Sequence, residues 1–199
     1  MPFVTPFRAK IAAWITIPAA LVGSGLVVGT ASYSAFSATT VNPASNWSAG
    51  SVALTDDDSN TALFNATALK PGSTGTKCIA VTSTGTLPST VTLYGTSPST
   101  TNALSTYINL TVTQGTGGGF GSCSGFTAQA TGSSVYTGTL LNFGSTSTNF
   151  ATGVGSWAPT GTASETKVFQ FTYTVNAAAP STVMGGTAQL GLTWEAQNS

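Results

Sequence analysis

The sequence predicts an all-β fold, an antiparallel β-sandwich, preceded by an N-terminal hydrophobic helix of the signal type. Three observations carry this: period-two alternation of apolar residues, a composition rich in strand formers and turn breakers, and a charge-flanked apolar leader. The alternation is clearest near the C-terminus, where Phe169, Phe171, Tyr173 and Val175 face one way and Val168, Gln170, Thr172 and Thr174 the other. Leu190, Leu192 and Trp194 alternate with Gly191, Thr193 and Glu195, and Ile108, Leu110 and Val112 with Asn109, Thr111 and Thr113. Shorter runs repeat the pattern at Val52/Leu54, Ile79/Val81 and Val91/Leu93. Successive strand side chains point to opposite faces, so such runs are half-buried strands, and Gly, Pro, Asn and Ser clusters separate them. About seven such strands fold as a sandwich.

The segments between them read as connections. The stretch 144–162 has no regular period and is expected to be a long loop held down by Phe150 and Trp157. A short helix is expected near Thr101 to Thr106, and no internal repeat or second domain is visible. Hydrophobic residues make up 41 % of the chain and aromatics 10 %, enough for a core, while 23 Gly and 9 Pro supply the turns.

The leader has the order of a secretory signal. Residues 1–10 carry only positive charge, Arg8 and Lys10, and residues 11–31 are uncharged and largely apolar. The apolar run is long enough to span a bilayer as a helix, but Pro18, Gly23, Gly25 and Gly29 weaken it and small residues close it. Cleavage is the expectation, with a retained membrane anchor as the alternative. Ser32 and Ser34 place small residues three before and one before a cut that would make Ala35 the mature start. A cut after Ala31 is the competitor. The expected division is thus a signal peptide, 1–34, and one sandwich domain, 35–199, with 35–41 a candidate donor strand.

Charge is scarce. Lys and Arg total 5, Asp and Glu total 5, His is absent, and the charged fraction of 5 % lies far below the roughly 25 % of an average soluble domain. Ser, Thr, Asn and Gly keep the surface wet instead. Nucleic-acid partners are not expected, because no Lys/Arg cluster exists to displace phosphate counterions. Contact with a membrane is expected only through an uncleaved leader.

Both cysteines, Cys78 and Cys123, lie in the mature part, which suits an oxidising compartment. A bridge between them closes a loop of about 45 residues and stabilises by about 4 kcal/mol in the chain-entropy model. Two buried thiols are the alternative, but Cys123 sits in the Gly-rich run 117–125, a poor place to hide one.

Three segments, taken in order, resemble the TasA/camelysin family of exported bacterial proteins. The first is Gly29 to Ser37, where the signal ends and Ala35-Phe36 begins the mature chain, with Trp47 to Leu54 similar to the family's F-x-A-G-T-L-x-L strand. The second is Ala68-Leu69-Lys70-Pro71-Gly72, similar to its L-K-P-G-D turn, followed by Thr84 to Leu87. The third is Leu192 to Gln197, similar to its F-x-W/F-E-A-x-Q ending. Ser73 departs from the usual acid after L-K-P-G, and the middle of the chain, with both cysteines, has no counterpart in the better-known bacillus members and resembles an actinobacterial form. The resemblance implies a jelly-roll-like sandwich, secreted or cell-surface associated, cut by a dedicated signal peptidase. It also implies assembly into surface or biofilm-matrix fibres, with itself or with related subunits. It further implies that the freed segment, through Ala35, Phe36, Ala38 and Thr40, adds as a strand to a neighbour. Physically this is β-augmentation of a sheet edge, and being head-to-tail it generates a filament. The alternative is that 35–41 is the first strand of its own sandwich.

No enzyme and no cofactor are expected. Some camelysin relatives are metallo-endopeptidases, but zinc-protease and Ser-His-Asp chemistry both need the imidazole this chain lacks. Two cysteines without His make too few ligands for zinc. A paired-carboxylate hydrolase would have to draw on Asp56 to Asp58 with Glu165 or Glu195. The cluster Asp56, Asp57 and Asp58 is a weak Ca²⁺ candidate, or a solvated turn between strands at Val52–Leu54 and Leu63–Phe64. Lys70 and Lys77 read as surface lysines rather than isopeptide formers. Trp157, in the long loop, is the one tryptophan expected to be exposed. It is the candidate platform for the rival function, a monomeric secreted module binding a glycan or cell-wall polymer.

Overall fold

The computed structural model describes residues 50–198. The signal segment 1–34, the cleavage residues Ser32, Ser34 and Ala35, the strand 35–41 with Phe36, Ala38 and Thr40, and Trp47 lie outside the described residues. Nine strands follow one another: β1 (Leu54–Asp56), β2 (Thr74–Ser83), β3 (Ser89–Thr100), β4 (Ile108–Thr116), β5 (Thr127–Ala128), β6 (Ser134–Thr139), β7 (Val154–Trp157), β8 (Glu165–Val175) and β9 (Ala188–Asn198). Among the described residues one helix, α1 (Leu140–Thr146), and three short 3₁₀ turns accompany the strands.

The strands form two antiparallel sheets that pack face to face. The larger has the order β1-β2-β8-β4, with both β5 and β6 on the outer side of β4; the smaller is β7-β3-β9. Thus β2 and β3, consecutive in sequence, are split between the sheets, and β8 and β9 are split the same way and paired with them. The registers are long: Thr74↔Thr174 to Ser83↔Glu165 for β2 and β8, Ile108↔Val175 to Gly115↔Val168 for β4 and β8, and Ser89↔Asn198 to Thr100↔Ala188 for β3 and β9. The last slips between Thr96 and Ser99, where Ser97 takes φ 48° just before Pro98, a residue with no N–H for a ladder.

The alternation read from sequence places the core. Ile79, Val81, Leu110, Val112, Phe169 and Phe171 from the larger sheet meet Val91 and Leu93 from the smaller, with Phe143 and Trp157 closing one side. A second cluster, Leu104, Ile108, Val175 and Val183, fills one end. On the opposite face of β2 and β8, threonine hydroxyls pair across the strands: Thr74 with Thr174 at 3.2 Å, Thr76 with Thr172 at 3.0 Å and Thr82 with Thr166 at 2.8 Å.

Three expectations are corrected. Residues 144–162 are not a plain connection. They hold the end of α1, capped by the Thr139 hydroxyl accepting from the Asn142 N–H, a capped turn at Phe150–Thr152, and β7. Trp157 is not exposed; it ends β7 at 7 % exposure, packed in the main core. Leu63 and Phe64 are not a strand, although both pack against that core, Phe64 with its ring edge-on to Tyr173 at 5.3 Å. The short helix expected near 101–106 is a 3₁₀ turn at Leu104–Tyr107.

Candidate functional site: an open sheet edge over an apolar trough

Among the described residues β9 pairs only with β3, so its other edge offers unpaired N–H and C=O groups over eleven residues. The larger sheet extends further than the smaller one, and the shortfall leaves a trough beside β9. Its central part has a volume of about 620 Å³ and a floor of Ile79, Leu110 and Phe171. One wall is β9 itself, through Leu190, Leu192 and Trp194; the other is the irregular segment carrying Leu63 and Phe64. A further 790 Å³ continues past Phe64 and Gln189 toward Val175 and Met184, and 170 Å³ continues past Leu192 and Trp194 to Leu54 and Asp56. Met184, 75 % exposed, stands at the mouth of the lower part. Apolar surface of this kind beside a free edge is what β-augmentation uses: the edge supplies backbone hydrogen bonds and the trough takes alternate side chains.

Trp194 joins core to trough. Its ring packs on Phe169 at 5.3 Å and edge-on to Phe171 at 6.0 Å. Its indole Nε1 is buried with no hydrogen-bond acceptor among the described residues. A buried indole N–H ordinarily finds a partner. The sequence placed Trp194 on the inner face of its strand; the missing acceptor was not legible there.

The cysteines form the expected bridge, Cys78 to Cys123, with Cα atoms 5.1 Å apart. Cys78 is fully buried on the outer face of β2. It lies under the segment 117–126, which runs from the end of β4 to the far edge of β2.

The three aspartates do not act as one set: Asp56 and Asp58 are side-chain neighbours, while Asp57 is engaged elsewhere. The Asp57 carboxylate accepts from the Ala80 N–H at 2.9 Å through Oδ1 and from the Phe120 N–H at 2.7 Å through Oδ2, tying β2 to the Gly-rich segment. Asp58 accepts from the Asn60 N–H at 2.6 Å, and the Asp58 carbonyl from Thr61, which makes the turn the sequence suggested. Glu195 lies elsewhere, accepting from the Tyr94 hydroxyl at 2.9 Å and from the Gln197 amide. Glu165 accepts from the Thr160 N–H and hydroxyl at 2.6 and 2.7 Å. Among the described residues no group of three Asp, Glu, Cys or His side chains gathers as metal ligands, and no helix is long and apolar enough to cross a membrane.

Two of these acids bear opposite pH signatures. Desolvation, then the neighbouring Asp58, raises the Asp56 carboxyl above its ordinary value. The Thr160 hydroxyl, then its N–H, lowers that of Glu165. Stability linked to Glu165 is therefore present above its unfolded-state pKa and lost as pH falls through the lower folded-state value. For Asp56 the sign reverses: its contribution is present at acid pH and lost as pH rises through the raised folded-state value. Asp56→Asn is accordingly expected to raise the melting temperature at pH 7 and to bring no gain at pH 3. Glu165→Gln should lower it at pH 7 and flatten the acid limb of the melting profile. Thermal melts at stepped pH check both.

No protein-family model and no curated protein matches this sequence.

Proposed function

We propose that the chain is an exported, non-enzymatic structural subunit that assembles into extracellular fibres by adding a strand to the free edge of β9. The observation that carries this is the edge itself: along the eleven residues of β9 the outward N–H and C=O groups of alternate residues have no strand partner among the described residues, and they lie beside an apolar trough. Long open edges invite association unless something blunts them, and no charged side chain interrupts β9 between Ala188 and Trp194. The cystine suits an oxidising, extracytoplasmic setting, and the leader read from the sequence supplies the route out. The strand-prone segment Ala35–Val41, freed by a signal peptidase, is the proposed donor, with Phe36, Ala38 and Thr40 as its alternating side chains.

In a fibre the donor comes from a second copy, because a head-to-tail contact between subunits propagates without closing.

Electron microscopy of protein beginning at Ala35, beside protein lacking residues 35–41, tests the proposal. Filaments from the first alone are expected, and Met184→Asp should thin their yield without lowering the melting temperature, because that side chain is already in water. Monomers from both would sink the fibre reading and favour the monomeric glycan- or wall-binding module.

A further inference from the structure

A sandwich with a six-stranded sheet has edges besides β9, and one of them is closed by an unusual device. The outer edge of β2 is paired with β1 only from Val81 to Ser83. Below that, the chain between β4 and β5 folds over the outer face of the sheet as a flap, residues 117–126, and its tip reaches the β2 edge. There Phe120 forms a parallel bridge with Cys78, and the Gly121 N–H donates to the Cys78 carbonyl at 2.9 Å. Asp57 holds both sides at once, accepting from Ala80 on the edge and from Phe120 on the flap. Phe120 packs against the main core, and the Cys78–Cys123 bond pins the flap to the strand it covers.

The glycines make this path possible. Gly117 and Gly118 both take left-handed φ, +78° and +81°, and a Cβ on Gly117 would strike the carbonyl oxygen of Gly125 on the returning arm. The flap is thus built from backbone that can lie close to itself and to the sheet. Along β2 the backbone groups that point outward belong to alternate residues: Thr82 toward β1, Ala80 to Asp57 and Cys78 to Gly121. Among the described residues the outward groups of Thr76 and Thr74 remain, too short a run for a stable strand pair.

We infer that the disulfide-pinned flap is an edge guard: it denies the β2 edge to a second copy of this chain. Its release opens a strand-accepting edge from Thr74 to Ala80. The inference does not depend on β9 being used, since it concerns whether the β2 edge is closed and by what.

Amide hydrogen exchange on the full chain, oxidised and after reduction with a phosphine, reads the guard directly. Reduction is expected to speed exchange of the Ala80, Phe120 and Gly121 amides by about tenfold or more while β8 keeps its protection, the mark of a local opening. Unchanged exchange at these three amides, or β8 rising in step with them, would overturn the inference, because the bond would then serve overall stability alone. Asp57→Asn in the oxidised chain should reproduce part of the local effect. Light scattering supplies the second arm. The reduced chain should associate beyond the oxidised one at equal concentration, and Thr76→Pro, which removes an outward N–H and no ladder bond, should abolish that increment. No increment, or one that survives Thr76→Pro, would refute the guard.

Discussion

Phe171→Ala is expected to cost about 3–5 kcal/mol of folding stability, the range for emptying a fully buried aromatic site. Phe171 sits mid-strand in β8, between Lys77 of β2 and Val112 of β4, with no exposed surface. Trp194 stands edge-on above it, so its removal leaves a void bounded by rings and branched side chains that cannot close over it. A loss of that size is a large share of the ~5–15 kcal/mol that holds a domain together. Urea and thermal melts measure it. Because Phe171 is also part of the trough floor, the result bears on the site as well. A loss below about 1.5 kcal/mol would mean that the floor is already wet or readily collapses, and the trough as described could not be right. A conservative Phe171→Leu change should recover most of the stability while altering the trough's depth.

Opening the Cys78–Cys123 bond is the second large effect. The bond closes 45 residues of chain, and its removal is expected to cost about 4 kcal/mol through the freedom regained by the unfolded state. That origin gives a signature that lost contacts would not. The reduced unfolded chain is more open, so the urea dependence of unfolding should steepen along with the fall in midpoint. A double Cys78→Ala, Cys123→Ala chain should match the reduced protein, which separates the bond from the thiols it leaves behind. A loss under about 1 kcal/mol with an unchanged slope would show that the reduced unfolded chain is no more open than the bridged one, and would overturn the entropic account.

The long strands were legible because each has one face in the core and one outside it. Phe169, Phe171, Tyr173 and Val175 announce β8, and Leu190, Leu192 and Trp194 announce β9, by the same period. The rule weakened where both faces are covered. Val168 is buried opposite Phe169, and Cys78 opposite Ile79, because the flap roofs the outer face there. The failure at 144–162 has a local cause. Helix α1 has seven residues and β7 has four, too few for either period to emerge, and Gly153 and Gly155 around Val154 read as loop. Trp157 was then misjudged, since its burial depends on pairing with Val91, which lies 66 positions earlier. The trough was not legible for a deeper reason. An open edge is defined by a strand that does not arrive, and nothing in Gln189, Gly191 or Thr193 records whether a partner lies beyond them. The role of Asp57 was hidden in the same way, because three consecutive aspartates look alike until the fold gives one of them two amides to hold.

The hydroxyl pairs that join β2 to β8 carry a consequence of their own. Thr74 with Thr174, Thr76 with Thr172 and Thr82 with Thr166 occupy positions where many exposed sheets place opposite charges. Ion pairs weaken as dissolved salt shortens the reach of their fields, whereas a bond between two neutral hydroxyls has no field to screen. With one residue in twenty charged, the pairing of these two strands should change little between dilute buffer and concentrated salt.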